Sequence, residues 1–268
     1  MPGGCVAVPW VWKKEQFDKN VETKTFYTDW DGTYREDRVV LHNAIVDGFL
    51  GKHQAQRNPM LTLVSGGAAS GKSSAAKKAF LAVPDAVAIN TDDVRMELPE
   101  FPIVEGTDKA GLLQEESGDI RDRLLARASF RRANIVLDAP GSPSLSKQID
   151  DLEQAGYQIS IAYTHKPVDE SKIAAAFRAK NAKKRADRRQ LPDQVIEQSH
   201  QKARAGLNEM AARKNREIIV YDLTGKKIGE SADVIYHRTA DGTVTLLDEP
   251  KMRRFATCEV PPVELAAH

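Results

Sequence analysis

The sequence predicts an α/β fold: a parallel five-stranded sheet with helices on both faces. Short apolar runs of strand type alternate with longer segments of helical periodicity between residues 59 and 225. A glycine-rich stretch joins the first of these strands to the helix that follows it, and acidic side chains follow the next two strands. Ligands of such sheets bind beyond the carboxyl ends of the strands. These three polar junctions therefore predict one binding site at that edge.

The glycine-rich stretch has the spacing of a phosphate-binding loop. Gly66, Gly71, Lys72 and Ser73 satisfy the pattern G-x-x-x-x-G-K-[ST]. Glycines let several backbone N–H groups converge on a phosphate, and the following helix adds the positive end of its dipole. The fold is therefore predicted to be of the P-loop NTPase or kinase type. The alternative is a glycine-rich turn that binds nothing.

This loop predicts a nucleotide and a metal ion as ligands. We expect Lys72 to reach the β- and γ-phosphates of ATP or GTP, and the Ser73 hydroxyl to bind Mg²⁺. The predicted nucleotide-binding residues are Gly66, Gly67, Ala68, Ala69, Ser70, Gly71, Lys72, Ser73 and Ser74.

Composition argues against several classes of protein. The chain has 39 basic and 38 acidic side chains, so no overall charge attracts nucleic acid or an anionic membrane, and neither is expected as a partner. The 2 cysteines have no metal-binding spacing. We find no secretory signal and no apolar run long enough to span a bilayer. A cytoplasmic location is expected.

Three regions are predicted: an N-terminal arm and helix (1–58), the core (59–225), and a C-terminal hairpin and tail (226–268). Apolar runs place the core strands at 61–64, 87–89, 134–138, 158–163 and 217–223. Apolar periodicity, with Gly and Pro at the ends, places helices at 37–50, 75–82, 94–98, 115–132, 146–155, 171–189 and 192–214. Residues 101–113 contain Pro102, Gly106 and Gly111 and are predicted to form a loop.

Two helices have apolar faces that predict how they pack. In helix 37–50 the predicted buried positions are Val40, Leu41, Ala44, Ile45 and Leu50. In helix 115–132 they are Ile120, Leu124, Leu125 and Ala128.

The two ends of the chain have different patterns. The N-terminal arm concentrates aromatic residues, namely Trp10, Trp12, Phe17, Phe26, Tyr27, Trp30 and Tyr34. We expect them to pack the arm onto the core, with a partner-binding surface as the alternative. Strand-like residues 234–236 and 243–246 flank Asp241-Gly242, which predicts a β-hairpin. The last fifteen residues are expected to form a loose tail.

A basic segment follows the fourth strand. Its cations are Arg178, Lys180, Lys183, Lys184, Arg185, Arg188 and Arg189. On a helix Arg178, Arg185 and Arg189 share a face. A charged, solvated helix is the simpler interpretation. Beside a phosphate loop, however, arginines on a mobile lid can stabilise the transferring phosphoryl group.

The acidic residues after the second and third strands suit phosphoryl transfer. Asp92 is the candidate for the base that takes the proton of an acceptor hydroxyl, and Asp93 is its rival. Either could instead cap the helix that starts there. Asp138 ends an apolar strand and could hold Mg²⁺ through water or line the acceptor pocket. We find no Asn-Lys-x-Asp motif of the kind that GTPases use to read guanine.

Taken together, these motifs resemble the zeta toxin family over roughly residues 36–225. The resemblance is carried by the loop, by Ile89–Arg95 with Leu98-Pro99-Glu100-Phe101 after it, by Glu116-Ser117 opening a helix, and by Asn134–Asp138. Zeta toxins are kinases that phosphorylate the 3′-hydroxyl of the sugar in UDP-N-acetylglucosamine. They belong to toxin–antitoxin systems and are restrained by an epsilon-type antitoxin. The resemblance implies this activity and such a partner.

The resemblance also implies roles for individual residues. Lys72 and Ser73 match the phosphate-loop lysine and the metal-binding hydroxyl, and Asp92 matches the base. Arg178 and Arg189 match the two lid arginines. Asp138 stands where the family has an acid that contacts the acceptor sugar, and Glu116 and Asp122 lie on the helix lining that pocket, with Asp93 a further candidate.

Two departures from the family pattern concern the acceptor. Asn90 replaces the first acid of the usual Asp-x-Asp, and residues 139–142 lack the usual Gly-Thr-Gly-type turn. Two other readings stay open. One is a polynucleotide, RNA-end or other small-molecule kinase. The other is a non-catalytic, nucleotide-dependent binding module.

Overall fold

The computed structural model describes Asp18, Leu265 and residues 20–104, 108–181, 191–227, 229–259 and 261–263. Its centre is one seven-stranded sheet in the order β2-β3-β1-β4-β5-β6-β7. The first five strands in this order are parallel, and β6 and β7 are antiparallel. The strands are β1 (Met60–Gly66), β2 (Ala86–Asn90), β3 (Asn134–Asp138), β4 (Gln158–His165), β5 (Glu217–Asp222), β6 (Asp233–Arg238) and β7 (Val244–Leu246).

The predicted fold class and hairpin are confirmed, but the number of strands in the sheet differs. The hairpin, β6 and β7, does not stand apart from the core: β6 pairs with β5, for example Ile218 with Arg238. Ile235 and Tyr236 of β6 are buried by this pairing. Burial of these two side chains explains why the hairpin continues the sheet.

Ten α-helices occur in the described residues. They are α1 (Thr23–Tyr27), α2 (Glu36–Leu50), α3 (Lys72–Ala82), α4 (Thr91–Met96), α5 (Phe101–Val104), α6 (Gln114–Phe130), α7 (Pro143–Gln154), α8 (Val168–Asn181), α9 (Asp193–Ala211) and α10 (Glu249–Thr257). A 3₁₀-helix occupies Asp108–Leu113. None of the helices described is long and apolar enough to cross a membrane.

Helices cover both faces of the sheet, as predicted. The buried apolar side chains form two clusters, and the side chains of β1 alternate between them. Leu61 and Leu63 belong to the larger cluster, and Val64 belongs to the smaller one. The smaller cluster is closed by alanines of α3. The larger contains the predicted apolar face of α6 and most of that of α2, although Val40 is 50% exposed.

The described part of the N-terminal arm packs onto the core, as expected. Tyr27 and Tyr34 are buried, and their hydroxyls donate to Glu100 at 2.6 Å and to Asp119 at 2.7 Å. Trp30 is 98% exposed and makes no contribution to this packing. Trp10, Trp12 and Phe17 lie outside the described residues.

Two stretches expected to be irregular contain helices. The expected loop 101–113 holds α5 and the 3₁₀-helix. The expected tail begins inside α10, so the prediction is wrong for residues 254–257. Met252 and Phe255, three residues apart, bury one face of α10, and Asp248 caps its start by accepting from the Lys251 N–H at 3.0 Å. Apolar burial thus orders this part of the chain.

Candidate active site

The loop between β1 and α3 is shaped by glycines that no other residue could replace without strain. Gly66 and Gly71 have φ of 144° and 98°, which other residues rarely adopt. A Cβ at Gly66 would overlap Thr164 of β4, and a Cβ at Gly67 would overlap the imidazole ring of His200 on α9. The loop therefore lies tightly against two other elements.

Helix α9 holds the tip of this loop from outside. The Ser199 hydroxyl accepts from the Ala68 N–H at 3.0 Å, and His200 Nε2 lies 3.1 Å from the Ala68 carbonyl. A carbonyl only accepts, so Nε2 carries the proton. Burial lowers the pKa of His200 to about 4, against the opposing effect of the bond to Ala68, and the imidazole is neutral. Sequence reasoning missed both residues, because α9 carries no local motif.

Lys72 begins α3 and lies at the centre of the site. Its Nζ donates to the Gly67 carbonyl at 2.7 Å. Burial lowers the pKa of Lys72, while the charges of Asp138 and Asp92 act in the opposite direction. The ammonium group is thus hydrogen-bonded to the phosphate loop and feels the charges of two nearby carboxylates.

A cavity of about 600 Å³ opens over the loop, at the carboxyl ends of the parallel strands. The loop and the start of α3 form one wall, with Lys72 and Ser73. Asp92 and Asp138 line the facing wall, and Arg178 on α8 lines a third. The structure therefore brings together five of the residues predicted from the sequence.

Asn90 hydrogen-bonds both acidic residues of the cavity: the side chain of Asp138 and the backbone of Asp92. It lies beside Asp138 in the register of β2 and β3, and its Nδ2 donates to Asp138 Oδ2 at 3.1 Å. Its Oδ1 accepts from the Asp92 N–H at 2.7 Å, which makes Asn90 the N-cap of α4. The alternative that Asp92 or Asp93 caps this helix is therefore wrong.

The two carboxylates have different surroundings. The Asp92 side chain is 74% exposed, and its Oδ1 lies 2.8 Å from Arg95 Nη1. Asp138 is half-buried. Burial raises the pKa of Asp138 to about 6; Lys72 lowers it, while Asp92 and Asp93 raise it. The cavity thus holds one solvated acidic side chain, Asp92, and one half-buried acidic side chain, Asp138, whose pKa lies near 6.

The residues present fit a magnesium ion bound together with a nucleotide. Mg²⁺ is usually held by one or two protein oxygens, several waters and the phosphates of the substrate, rather than by a full protein cage. Ser73 and Asp138 both line the cavity and supply such oxygens. Consistently, no group of three or more His, Cys, Asp or Glu side chains that could hold a metal occurs among the described residues.

Several other predicted residues lie elsewhere. Glu116 does not line the cavity: it is completely buried, ion-paired with Arg38 and hydrogen-bonded to His42 of α2. Burial would raise the pKa of Glu116, but hydrogen bonds from these partners lower it to about 2. Asp93 is exposed and also off the cavity wall. Arg189 lies outside the described residues.

The wall of the cavity formed by α4 and α6 is more basic than the sequence suggested. Arg95, Gln114 and Arg121 line it, and Arg95 hydrogen-bonds Gln114. Asp122 reaches this wall only through Arg121, whose Nε donates to Asp122 Oδ1 at 2.9 Å. These cations come from α4 and α6. Arg95 ends the Ile89–Arg95 stretch quoted above, whereas no motif marks Arg121.

Comparisons with solved structures support the fold. A native AvrRxo1-ORF1:-ORF2 complex matches with a TM-score of 0.67 at 13% identity, covering 88% of this chain and 82% of the other. The corresponding complex with ATP matches with a TM-score of 0.63 at 14% identity, covering 83% and 73%. The PezAT toxin–antitoxin system of Streptococcus pneumoniae matches with a TM-score of 0.54 at 14% identity, covering 81% and 86%. At such identities the likeness concerns the fold alone.

Sequence comparison identifies the family. No curated protein of similar sequence was found. The zeta toxin family model, however, matches residues 47–240, which include every strand from β1 to β6 and the whole phosphate loop. The chain therefore belongs to the zeta toxin family, whose members are P-loop kinases.

Proposed function

We propose that this protein is an ATP-dependent phosphotransferase that phosphorylates a sugar hydroxyl of a UDP-sugar, with UDP-N-acetylglucosamine as the first acceptor to test. One observation carries the proposal. A single cavity unites the phosphate loop with two carboxylates and Arg178. A donor triphosphate and an acceptor hydroxyl can therefore meet in one cavity.

The loop and its surroundings would hold the donor. Backbone N–H groups of residues 66–74 would bind the phosphates of ATP or GTP, and Lys72 would exchange its bond to Gly67 for the terminal phosphates. Ser73 and Asp138 would hold Mg²⁺, which neutralises charge on the β- and γ-phosphates when it is bound. Arg178, with Arg189 as the proposed second lid cation, would stabilise the transferring phosphoryl group.

Asp92 would act as the base. It would accept the proton of the acceptor hydroxyl as the oxygen bonds to the γ-phosphorus and the bond from that phosphorus to the β–γ bridging oxygen breaks. The products are a phosphate monoester and ADP. Exposure of the Asp92 carboxylate to the cavity allows this contact, and Arg95 orients it.

The basic acceptor end supports a nucleotide-linked substrate. Arg95 and Arg121 supply charge for a diphosphate, and Gln114 supplies amide hydrogen bonds. The alternative role for Asp138 is contact with the acceptor sugar instead of with Mg²⁺. Asp122 would help to orient Arg121. Glu116 and Asp93, which the family resemblance also implied, have no place on this wall.

We further propose that the protein is the toxin of a toxin–antitoxin system, with an epsilon-type antitoxin as partner, and that it acts in the cytoplasm. One solved structure of similar fold, PezAT of Streptococcus pneumoniae, is by its own description a chromosomal toxin–antitoxin system. Co-expression with candidate antitoxins tests this partner: growth arrest by the toxin alone, relieved by the partner, is expected.

Mass spectrometry of reaction products tests the activity. The purified protein is incubated with Mg²⁺, ATP or GTP, and a panel of UDP-sugars, free sugars, nucleosides and 5′-hydroxyl oligonucleotides. One added phosphate on a UDP-sugar, absent with Asp92→Asn, is expected. Transfer only to oligonucleotides would show a nucleic-acid kinase instead. ATP binding without product on any acceptor would show a binding module.

A further inference from the structure

The C-terminal segment, residues 249–259 and 261–263, lies beyond the family match, which ends at residue 240. It is nevertheless packed against the core. Phe255 is 1% exposed, and its ring centroid lies 5.6 Å from that of Tyr163 and 4.9 Å from that of His165. Both partners belong to the carboxyl half of β4. The segment therefore covers the sheet close to the active-site edge.

A buried arginine of helix α9 hydrogen-bonds this segment. Arg204 is 0% exposed; its Nε donates to the Pro261 carbonyl and its Nη2 to the Phe255 carbonyl, each at 2.8 Å. The guanidinium also lies 5.2 Å from the centre of the Phe255 ring. The same helix holds the phosphate loop through Ser199 and His200, so the segment indirectly supports that loop.

Glu259 touches both helices that flank the cavity. Its Oε1 accepts from the Val168 N–H at 2.8 Å, at the first residue of α8. Its Oε2 lies 3.8 Å from His200 Nδ1 and 3.8 Å from Arg204 Nη1 on α9. The side chain is only 13% exposed. A carboxylate at a helix N-terminus satisfies a free N–H group and stabilises the helix dipole.

We propose that Glu259 is a positioning residue of the phosphotransferase site, fixing the start of α8 relative to α9 and hence Arg178 relative to the phosphate loop. Arg178 lies ten residues after Val168, or about 15 Å along the helix axis. A tilt at the first turn therefore displaces its guanidinium. This inference rests on the proposed function.

Kinetics of Glu259 variants test the proposal. Glu259→Ala removes both contacts and is expected to lower kcat at least tenfold, with the Kd of the nucleotide changed less than threefold. Glu259→Gln keeps an acceptor for the Val168 N–H but loses the charge that faces Arg204, and its loss of kcat is expected to be smaller than that of Glu259→Ala. The matched control is Glu249→Ala, because Glu249 lies on the same segment but is exposed and pairs with Arg253.

A double variant separates positioning from general destabilisation. If Glu259 acts through Arg178, adding Glu259→Ala to Arg178→Ala costs less than twofold further activity, since the interaction is already lost. Hydrogen exchange should also accelerate in the first turn of α8 in Glu259→Ala, and not in Glu249→Ala. This readout needs no catalytic activity.

The outcomes distinguish the two proposals. An active wild type with unchanged kcat in Glu259→Ala, or equal losses in the wild-type and Arg178→Ala backgrounds, overturns the positioning role alone. A lower Tm with an unchanged rate per folded molecule does the same. A wild type that transfers no phosphate to any acceptor overturns the proposed function and the positioning role together.

Discussion

The donor and acceptor sides of the cavity are built in different ways. The donor side comes from one continuous stretch, residues 64–74, pressed against β4 and α9. The acceptor side is assembled from α4, α6 and the ends of two strands. Ser70 and His200 on the donor side are almost fully buried, whereas the Asp92 side chain is 74% exposed. A phosphate loop packed tightly against β4 and α9 thus faces a wall whose carboxylate at Asp92 is solvated.

This difference predicts different kinds of damage. Changes on the donor side should disturb nucleotide binding and stability together, because loop and core share contacts. Changes that touch only the reacting groups should lower kcat and leave the fold intact. Four substitutions test the contrast.

The largest effect is expected from Arg178→Ala. The side chain is exposed on α8 and lines the cavity, so its loss should leave the fold unchanged. Loss of an arginine that stabilises a transferring phosphoryl group lowers kcat on the order of 10³-fold. Steady-state kinetics should show this loss, and calorimetry should show a nucleotide Kd within a few-fold of wild type. Lys180→Ala, two residues along, is the control and should be nearly neutral.

Arg178→Ala with more than a tenth of wild-type kcat contradicts the role given to α8. If Arg178→Ala instead has normal kcat and binds nucleotide weakly, Arg178 contributes to nucleotide binding and not to stabilisation of the transferring phosphoryl group.

The next effect is expected from Gly67→Ala on the donor side. The new Cβ would overlap the buried His200 ring, and overpacking of this kind costs about 1–3 kcal/mol. Both the Tm and the affinity for nucleotide should fall. Titration of nucleotide alongside thermal unfolding measures the two together.

A second variant makes the steric reason testable. His200→Ala removes the ring that the new Cβ meets, so Gly67→Ala should cost less in a His200→Ala background than in wild type. Equal costs in both backgrounds would falsify the clash as the cause.

The same contrast explains how much could be predicted from the sequence. Apolar runs placed all five parallel strands within about two residues, because strand formation in a buried sheet depends on local pattern. The residues of the phosphate loop were recognised for the same reason, because their motif lies within one short stretch of sequence. The pairing of β6 with β5 and the packing of α10 depend on contacts between residues that are far apart in sequence. No local pattern predicts such contacts.

The site residues divide in the same manner. Glu116 has the helical placement expected for an acceptor-side acid, yet it faces Arg38, a residue 78 positions away. The spacing of residues around Glu116 does not indicate that Arg38 is its partner. Arg121, Ser199 and His200 sit on ordinary helices, where nothing nearby distinguishes them from structural residues.

On the acceptor side, Asn90→Asp is expected to lower kcat about tenfold near pH 7, which corresponds to about 1.4 kcal/mol. Asp can still cap α4. It cannot donate to Asp138, however, and adds a like charge beside it, which raises the pKa of Asp138 further. As the pH rises from 6 to 9, Asp138 ionises despite its higher pKa. The loss of kcat should therefore become smaller over this range.

The matched control is Asn90→Ala, which removes the donor without adding charge. Its deficit should depend on pH less steeply than that of Asn90→Asp, because loss of the hydrogen bond raises the pKa of Asp138 without the added like charge. A flat pH profile for Asn90→Asp, or one identical to that of Asn90→Ala, rules out coupling between these two positions.

The smallest effect, about 1 kcal/mol, is expected for the stability of Asp138→Asn without nucleotide. Burial raises the pKa of Asp138 to about 6 from 3.8, so the folded protein resists its ionisation. For a group with a raised pKa, the stabilising contribution is complete below pH 4 and is lost as pH rises through 6. Solvent in the cavity reduces the size of this loss. The neutral amide avoids it, so Asp138→Asn should gain stability over wild type between pH 4 and 8 in urea unfolding. The exposed Asp92 provides the comparison: a similar gain for Asp92→Asn would show that net charge, rather than burial at the end of β3, sets the difference.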